Sequence, residues 1–231
     1  MSVAAGLGTT THPGLHTYVL EHVLPRHFVP GGRAVDLGAG SGAFAACLRE
    51  AGWDVLAADL NMEGYKADVP FLLVNLNEPD FASRLGQGVF DLVTSIEVLE
   101  HVESPIGFLR NVGHMLKPGG VAVLTTPNVD CTPARLKFLL TGTIRMMDAN
   151  SEPTNITPIF WDLFTRQFLP RAELKLLEHR VYPLRGYDMT RSGLAQVMRI
   201  ASLFLRGSCL GGDNHVLTLQ PSKPSRCVKT V

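Results

Sequence analysis

At 231 residues the chain is long enough to bury a substantial core as one domain and too short for a second full one. Its 21 Lys plus Arg balance 21 Asp plus Glu, so no net field draws it toward nucleic acid or an anionic membrane, and a nucleic-acid partner is disfavoured. The cysteines Cys47, Cys131, Cys209 and Cys227 form no C-x-x-C pair, which argues against a zinc knuckle or redox dithiol and predicts reduced thiols in a cytoplasmic protein.

In chain order, "MSVAAGLGTTTHPG" lacks the basic-then-apolar order of a secretory leader. "THPGLHTYVLEHVL" then puts Leu15, Val19, His22 and Val23 on one helical face, predicting a helix within residues 1–32 that folds over the site as a lid. Five nearly continuous apolar runs follow at 33–38, 54–60, 71–76, 90–97 and 120–127. Such runs suit strands covered on both faces, hence a parallel sheet between helices. Between them, 41–51 and 105–116 have helical spacing, the first ending at Gly52. In "LKPGG", Pro118 and Gly119 are expected to end the second helix and turn the chain into the fifth strand.

Beyond Pro127 the pattern predicts helices at 132–140, 160–168 and 194–205, a strand within 174–184 and a last strand at 215–220. The run Ile200 to Leu210 is interrupted by Arg206 and too short to span a bilayer. The tail 221–231 has too few apolar residues to pack and is expected to be disordered. The predicted organisation is a single domain over 1–220, with a core at 33–127 and a cap at 128–210.

The stretch "VDLGAGSGAF" carries Gly38, Gly40 and Gly42 between a strand and a helix, where glycines admit close approach and the helix offers free N–H groups. Gly38, Gly40 and Ala43 also satisfy the permissive dinucleotide fingerprint, with Asp59 placed for a ribose, so spacing alone allows a nicotinamide cofactor. Asp36 speaks for a different ligand. A carboxylate two residues before the first glycine sits poorly beside a pyrophosphate and well beside an ammonium group.

"VDLGAGSG" resembles motif I of class I S-adenosylmethionine-dependent methyltransferases, and "AADL", "FDLVTSIEVLEHVESP", "LKPGG" and "TTPN" follow in the order of that family. The set is similar to ubiquinone-biosynthesis-like O-methyltransferases and other small-molecule methyltransferases. The resemblance implies a doubly wound, mostly parallel seven-stranded Rossmann-like sheet with S-adenosylmethionine as cofactor and S-adenosylhomocysteine as product. It also implies roles: Asp36, Gly38, Gly40 and Gly42 around the methionyl part, Asp59 on both ribose hydroxyls, and Leu60 packed on the adenine. Asn75, followed by Leu76, stands where the family often has an acid for the adenine amine. Ser95, Ile96 and Glu97 would border the methyl group. The D/N-P-P-Y/F tetrapeptide of DNA amino-methyltransferases is absent, a second point against a nucleic-acid substrate.

Transfer to a hydroxyl needs a proton acceptor, and His101 in "EVLEH" is the candidate general base; the competing role is a backbone hydrogen bond that holds its loop. Glu100 either orients that ring or is solvated. The acceptor pocket is expected in 128–170, with Asn128 near the acceptor and Phe160, Trp161 and Phe164 as its walls or as an inward-facing cap. Arg135, Lys137 and Arg145 either meet an acidic group on the acceptor or stay solvated. No spacing among the eight histidines suggests a metal site.

The expected chemistry is methyl transfer to a small-molecule hydroxyl, with nitrogen as the rival acceptor. A short-chain oxidoreductase would share the glycine loop, but no tyrosine has the lysine four residues later that such enzymes carry. A non-catalytic module that keeps the cofactor fold is the third alternative.

Overall fold

A computed structural model describes residues 7–8, 11–27, 31–149, 151, 153–184 and 211–222. The predicted helix at 194–205, Cys209, Cys227 and residues 223–231 lie outside them. Seven strands form one sheet: β1 Arg33–Leu37, β2 Asp54–Asp59, β3 Phe71–Leu73, β4 Phe90–Ile96, β5 Leu116–Pro127, β6 Leu174–Tyr182 and β7 Asn214–Pro221. Their spatial order is β3-β2-β1-β4-β5-β7-β6. β1 to β5 are parallel, and β7 runs antiparallel to both of its neighbours. This is the doubly wound, mostly parallel seven-stranded sheet that the resemblance implies, with the five parallel strands at the apolar runs.

The central strands are buried because both faces are covered. One face packs Val35, Val93, Leu124 and Leu217 with Phe108, Val112 and Phe164. The other packs Ala34, Leu92, Val123 and Val216 with Phe44, Leu48 and the N-terminal Leu15, Val19 and Val23. α2 (Ala43–Glu50) and α4 (Pro105–Met115) occupy the predicted helical runs, with the short α3 (Ala82–Leu85) between them. α4 starts cleanly because the Ser104 hydroxyl accepts the Gly107 N–H at 3.3 Å and Pro105 sits in the first turn. The N-terminal segment passes from α1 (Leu15–Tyr18) through a π-turn, Val19–Val23, to a 3₁₀ turn, Leu24–Arg26. His22, expected on its packed face, is exposed; Tyr18 is buried there instead.

Three boundaries differ from expectation. α4 ends at Met115, before Pro118 and Gly119, because Leu116 already pairs with Phe90; the ladder then skips to Leu92 and Val121, and "KPGG" bulges out between. β3 stops at Leu73, since the Val74 N–H turns to the Asp59 carbonyl at 2.8 Å. β7 continues to Pro221, and the Ser222 N–H donates to the Glu173 carbonyl at 2.8 Å, so the tail begins later than its composition suggests. The helical run at 160–168 is α6 (Trp161–Leu163), a π-turn at Phe164–Phe168 and α7 (Leu169–Arg171). α5 (Thr132–Thr141) lies as predicted. Among the described residues no helix is long and apolar enough to cross a membrane.

Candidate active site

The strand order reverses between β1 and β4, so their carboxyl ends open a crevice at the topological switch point. The glycine loop borders it. Gly38, Gly40 and Gly42 have φ of 70°, 52° and 83°, the left-handed region. A Cβ on Gly38 would run into Val98, and one on Gly42 would meet Ala67 and Tyr65; at Gly40 it would meet nothing within 4 Å. The first and third glycines are therefore demanded by packing as well as by backbone, and the middle one marks the open face.

Two carboxylates flank this loop. Asp36, at the end of β1, is 2% exposed and accepts the Thr94 hydroxyl at 2.8 Å. Burial pushes its carboxyl up to about 7, with the Thr94 bond and an Ala45 N–H pulling the other way and Asp59 adding repulsion. Asp59, ending β2, accepts the Gly40 N–H at 2.8 Å on one oxygen and the Asn61 N–H at 3.1 Å on the other. Each oxygen keeps a lone pair. Leu60 beside it is 64% exposed, an uncovered apolar side chain at the mouth of the crevice. The Asn75 amide oxygen accepts the Asn77 N–H at 3.0 Å, so part of its accepting capacity is spent on a turn, while Leu76 packs half-buried against the core.

The end of β4 is tightly constrained. Ser95 is buried and its hydroxyl has no hydrogen-bond partner; Ile96 packs toward the N-terminal face. Glu97 is a non-glycine residue at φ 55°, held by its N–H to the Thr125 hydroxyl at 2.9 Å and to the Thr125 carbonyl at 3.2 Å. Its carboxylate accepts the His12 main-chain N–H at 3.0 Å and a bond from the Asn214 side chain. Burial raises its pKa, against the pull of those bonds and of the His12 and His101 rings. The following 3₁₀ turn, Leu99–His101, brings the half-buried His101 to the same end of the sheet, with Nδ1 enclosed and unpartnered. Its main-chain N–H donates to the Val98 carbonyl at 2.9 Å.

Glu100 takes neither role that sequence offers it. It is 1% exposed, accepts the Thr126 hydroxyl at 3.0 Å, and burial, with the Glu97 charge adding, pushes its carboxyl up to about 8. Its carbonyl receives the N–H groups of Ile156 and Thr157, at 3.0 and 2.9 Å, and so clamps the His101 turn to the cap.

The N-terminal segment crosses this end of the sheet. The Ser41 hydroxyl of the glycine loop donates to the Gly8 carbonyl at 2.7 Å, and the Tyr182 hydroxyl donates to the Pro13 carbonyl at 2.9 Å. His12 is 5% exposed, its Nε2 3.6 Å from Asp213. Sequence reasoning gave His12 no polar role and did not single out Asp213 or Asn214; "GGDN" ahead of the last strand was the available signal.

On the acceptor side the expected residues part company. Asn128 is fully buried, its amide donating to the Gly211 and Gly212 carbonyls at 3.0 and 3.3 Å and its oxygen accepting the Asp130 N–H. Its side-chain amide thus pins the approach to β7. Phe160 is exposed, Trp161 is half-buried, and Phe164 is fully buried in the core rather than lining a wall. Trp161 stacks on His179 at 3.9 Å between ring centres, and His179 Nε2 lies 3.0 Å from His215 Nδ1. Burial lowers these histidines to about 4 and about 3. Arg145, expected at the acceptor or in solvent, is buried against Asp213 at 2.8 Å. Arg135 stays exposed with its Nε on the Asp130 carbonyl, and Lys137 pairs with Asp148.

A methyltransferase domain family model matches residues 16–180. The chain belongs to that family. It is a methyltransferase domain with the class I fold. The methyltransferase is 33% identical over 130 residues to a protein named ubiquinone biosynthesis O-methyltransferase from Xanthomonas campestris, 53% of this chain and 54% of that one. It thus spans about half the length of the curated relatives it matches. Among solved structures, it resembles a SAM dependent methyltransferase from Archaeoglobus fulgidus at 14% identity and TM-score 0.59, covering 88% of this chain and 91% of that one. It also resembles the 1,6-didemethyltoxoflavin-N1-methyltransferase of Burkholderia thailandensis, determined with bound S-adenosylhomocysteine, at 15% identity and TM-score 0.58, covering 91% and 80%. At these identities the structural likenesses establish the shared fold.

Proposed function

We propose that this enzyme methylates a hydroxyl of a small-molecule acceptor in the cytoplasm, by in-line displacement. The observation that carries the cofactor half is the pair Asp36 and Asp59 around a glycine loop open only at Gly40. Asp36 faces the ammonium group, Asp59 offers its free lone pairs to both ribose hydroxyls, and the exposed Leu60 covers the adenine, with Asn75 and Leu76 at its edge. S-adenosylmethionine supplies a methyl group already activated on a sulfonium. The protein aligns and dries the reaction: Ser95, Ile96 and Glu97 border the transferring group, and the N-terminal segment lies over it as a lid.

His101 is the proposed base. Its turn is fixed from two sides by Glu100, and its enclosed Nδ1 lacks a partner, which fits a ring kept for a proton. Trp161 and Phe160 are the proposed acceptor contacts, with Asn128 and Phe164 supporting them from below. Oxygen is favoured over nitrogen by the O-methyltransferase names of the relatives. The balanced charge supports an acceptor other than nucleic acid, and the free thiols of Cys47 and Cys131 fit a reducing compartment.

The test is calorimetric titration with S-adenosylhomocysteine, which needs no acceptor. One-to-one binding, weakened at least tenfold by Asp59→Ala, is expected. Absence of binding to folded wild-type protein would overturn the cofactor assignment. With an acceptor found, His101→Ala should lower turnover by ~10²-fold or more at unchanged cofactor affinity; unchanged turnover would remove it as the base.

A further inference from the structure

Buried carboxylates are held by cations or by several hydrogen bonds, because a desolvated charge is costly. Asp213 follows that rule through Arg145. Glu100 meets it by retaining its proton up to about pH 8. Asp36 and Glu97 have hydrogen bonds but no cation: neither forms an ion pair with a lysine or arginine among the described residues, their donors are a hydroxyl, main-chain N–H groups and an amide, and burial raises the pKa of both. Both stand at the mouth of the β1/β4 crevice, and Glu97 is kept there by a left-handed backbone and a bifurcated hydrogen bond from its main-chain N–H to Thr125 rather than left to swing into solvent. The missing cations fit the cofactor, which brings two positive charges, an ammonium and a sulfonium, whereas its product keeps only the ammonium.

We propose that Glu97 is a specificity determinant that reads the positive charge at the transferable group, so that the site holds the charged methyl donor more tightly than the neutral thioether left after transfer. This rests on the cofactor placement given above. The groups facing Glu97 are His12 from the N-terminal segment, His101 and Glu100 from the turn after β4, Thr125 from β5 and Asn214 from β7. The histidines are the alternative source of a cation, so the measurement belongs at pH 8, above the ordinary imidazole range.

Two probes differ in charge at the position of interest: S-adenosylhomocysteine, and sinefungin, in which an ammonium-bearing carbon replaces the methylsulfonium. Calorimetry on the wild-type chain should give about tenfold tighter binding of sinefungin, the size of one partly screened charge pair. Glu97→Gln should bring the two affinities within about twofold while moving that of S-adenosylhomocysteine by less than about threefold, and Glu97→Asp should retain a preference. A sinefungin preference that persists in Glu97→Gln, a wild type without one, or a parallel loss of both ligands in Glu97→Gln would each overturn the proposal. Failure of both probes on folded wild-type protein would instead overturn the cofactor placement on which it stands.

Discussion

Replacing Asp36 with asparagine should uncouple stability from pH at one site. In the folded, ligand-free protein burial holds this carboxyl up to about 7, whereas in the unfolded chain it titrates near 4. Between those values the native state keeps a proton that the unfolded state has lost. Stability therefore falls as pH rises from about 4 to 7 and levels off above. Three units correspond to about 4 kcal/mol, and at 2% exposure solvent screening subtracts little. The asparagine cannot ionise, and its amide oxygen can still accept the Thr94 hydroxyl. Its NH₂ will oppose the Ala45 N–H at some fixed cost, which cancels when two pH values are compared. Urea unfolding of both proteins without ligand should show the variant gaining about 4 kcal/mol on the wild type between pH 4 and pH 8. S-adenosylhomocysteine should then stabilise only the wild type. Parallel stability curves, with a relative gain under about 1 kcal/mol, would refute a desolvated Asp36 and the reasoning built on it.

Gly42→Ala forces an L-residue into φ 83° and against Ala67 and Tyr65, and should cost about 2–3 kcal/mol in a denaturant melt; Gly40→Ala, facing open space, should cost about 1 kcal/mol but weaken S-adenosylhomocysteine binding more than that. Glu100→Gln should be nearly neutral for thermal stability at pH 4, where the carboxyl is protonated both folded and unfolded, and should gain on the wild type as pH rises from about 4.5 to about 8, where the unfolded chain has released a proton that the buried acid keeps. Arg145→Ala strands Asp213 without its buried cation and should destabilise by about 3–5 kcal/mol in urea, with Asp213→Asn in the same chain recovering part of the loss.

The parallel half of the fold was legible because strands covered on both faces leave continuous apolar runs, as in "RAVDL" and "FDLVTSI". The glycine loop was legible for a local reason: three positive-φ positions in five residues demand glycine whatever surrounds them. Pairing after Pro127 was not. Nothing local distinguishes a β7 that slots between β5 and β6 from one added at the edge. Likewise the burial of Arg145 depends on Asp213, 68 positions away, and His12 meets Glu97 across 85. Chemistry made by such long-range meetings has no periodic signature. Phe160, Trp161 and Phe164 show the same limit at short range, since a π-turn rotates the face and sends neighbouring aromatics to solvent, surface groove and core.

The insertion of β7 also sets an order on assembly. Among the described residues β6 pairs with β7 alone, so a nascent chain that has produced β6 still has residues 183–213 to add before that strand meets β7. Until then the carboxyl-side edge of β5 lies open as well, along the ladder from Ala122 to Pro127. Synthesis thus passes through an interval in which two unpaired strand edges await one late segment, a window for chaperone capture or for misdirected strand pairing between chains.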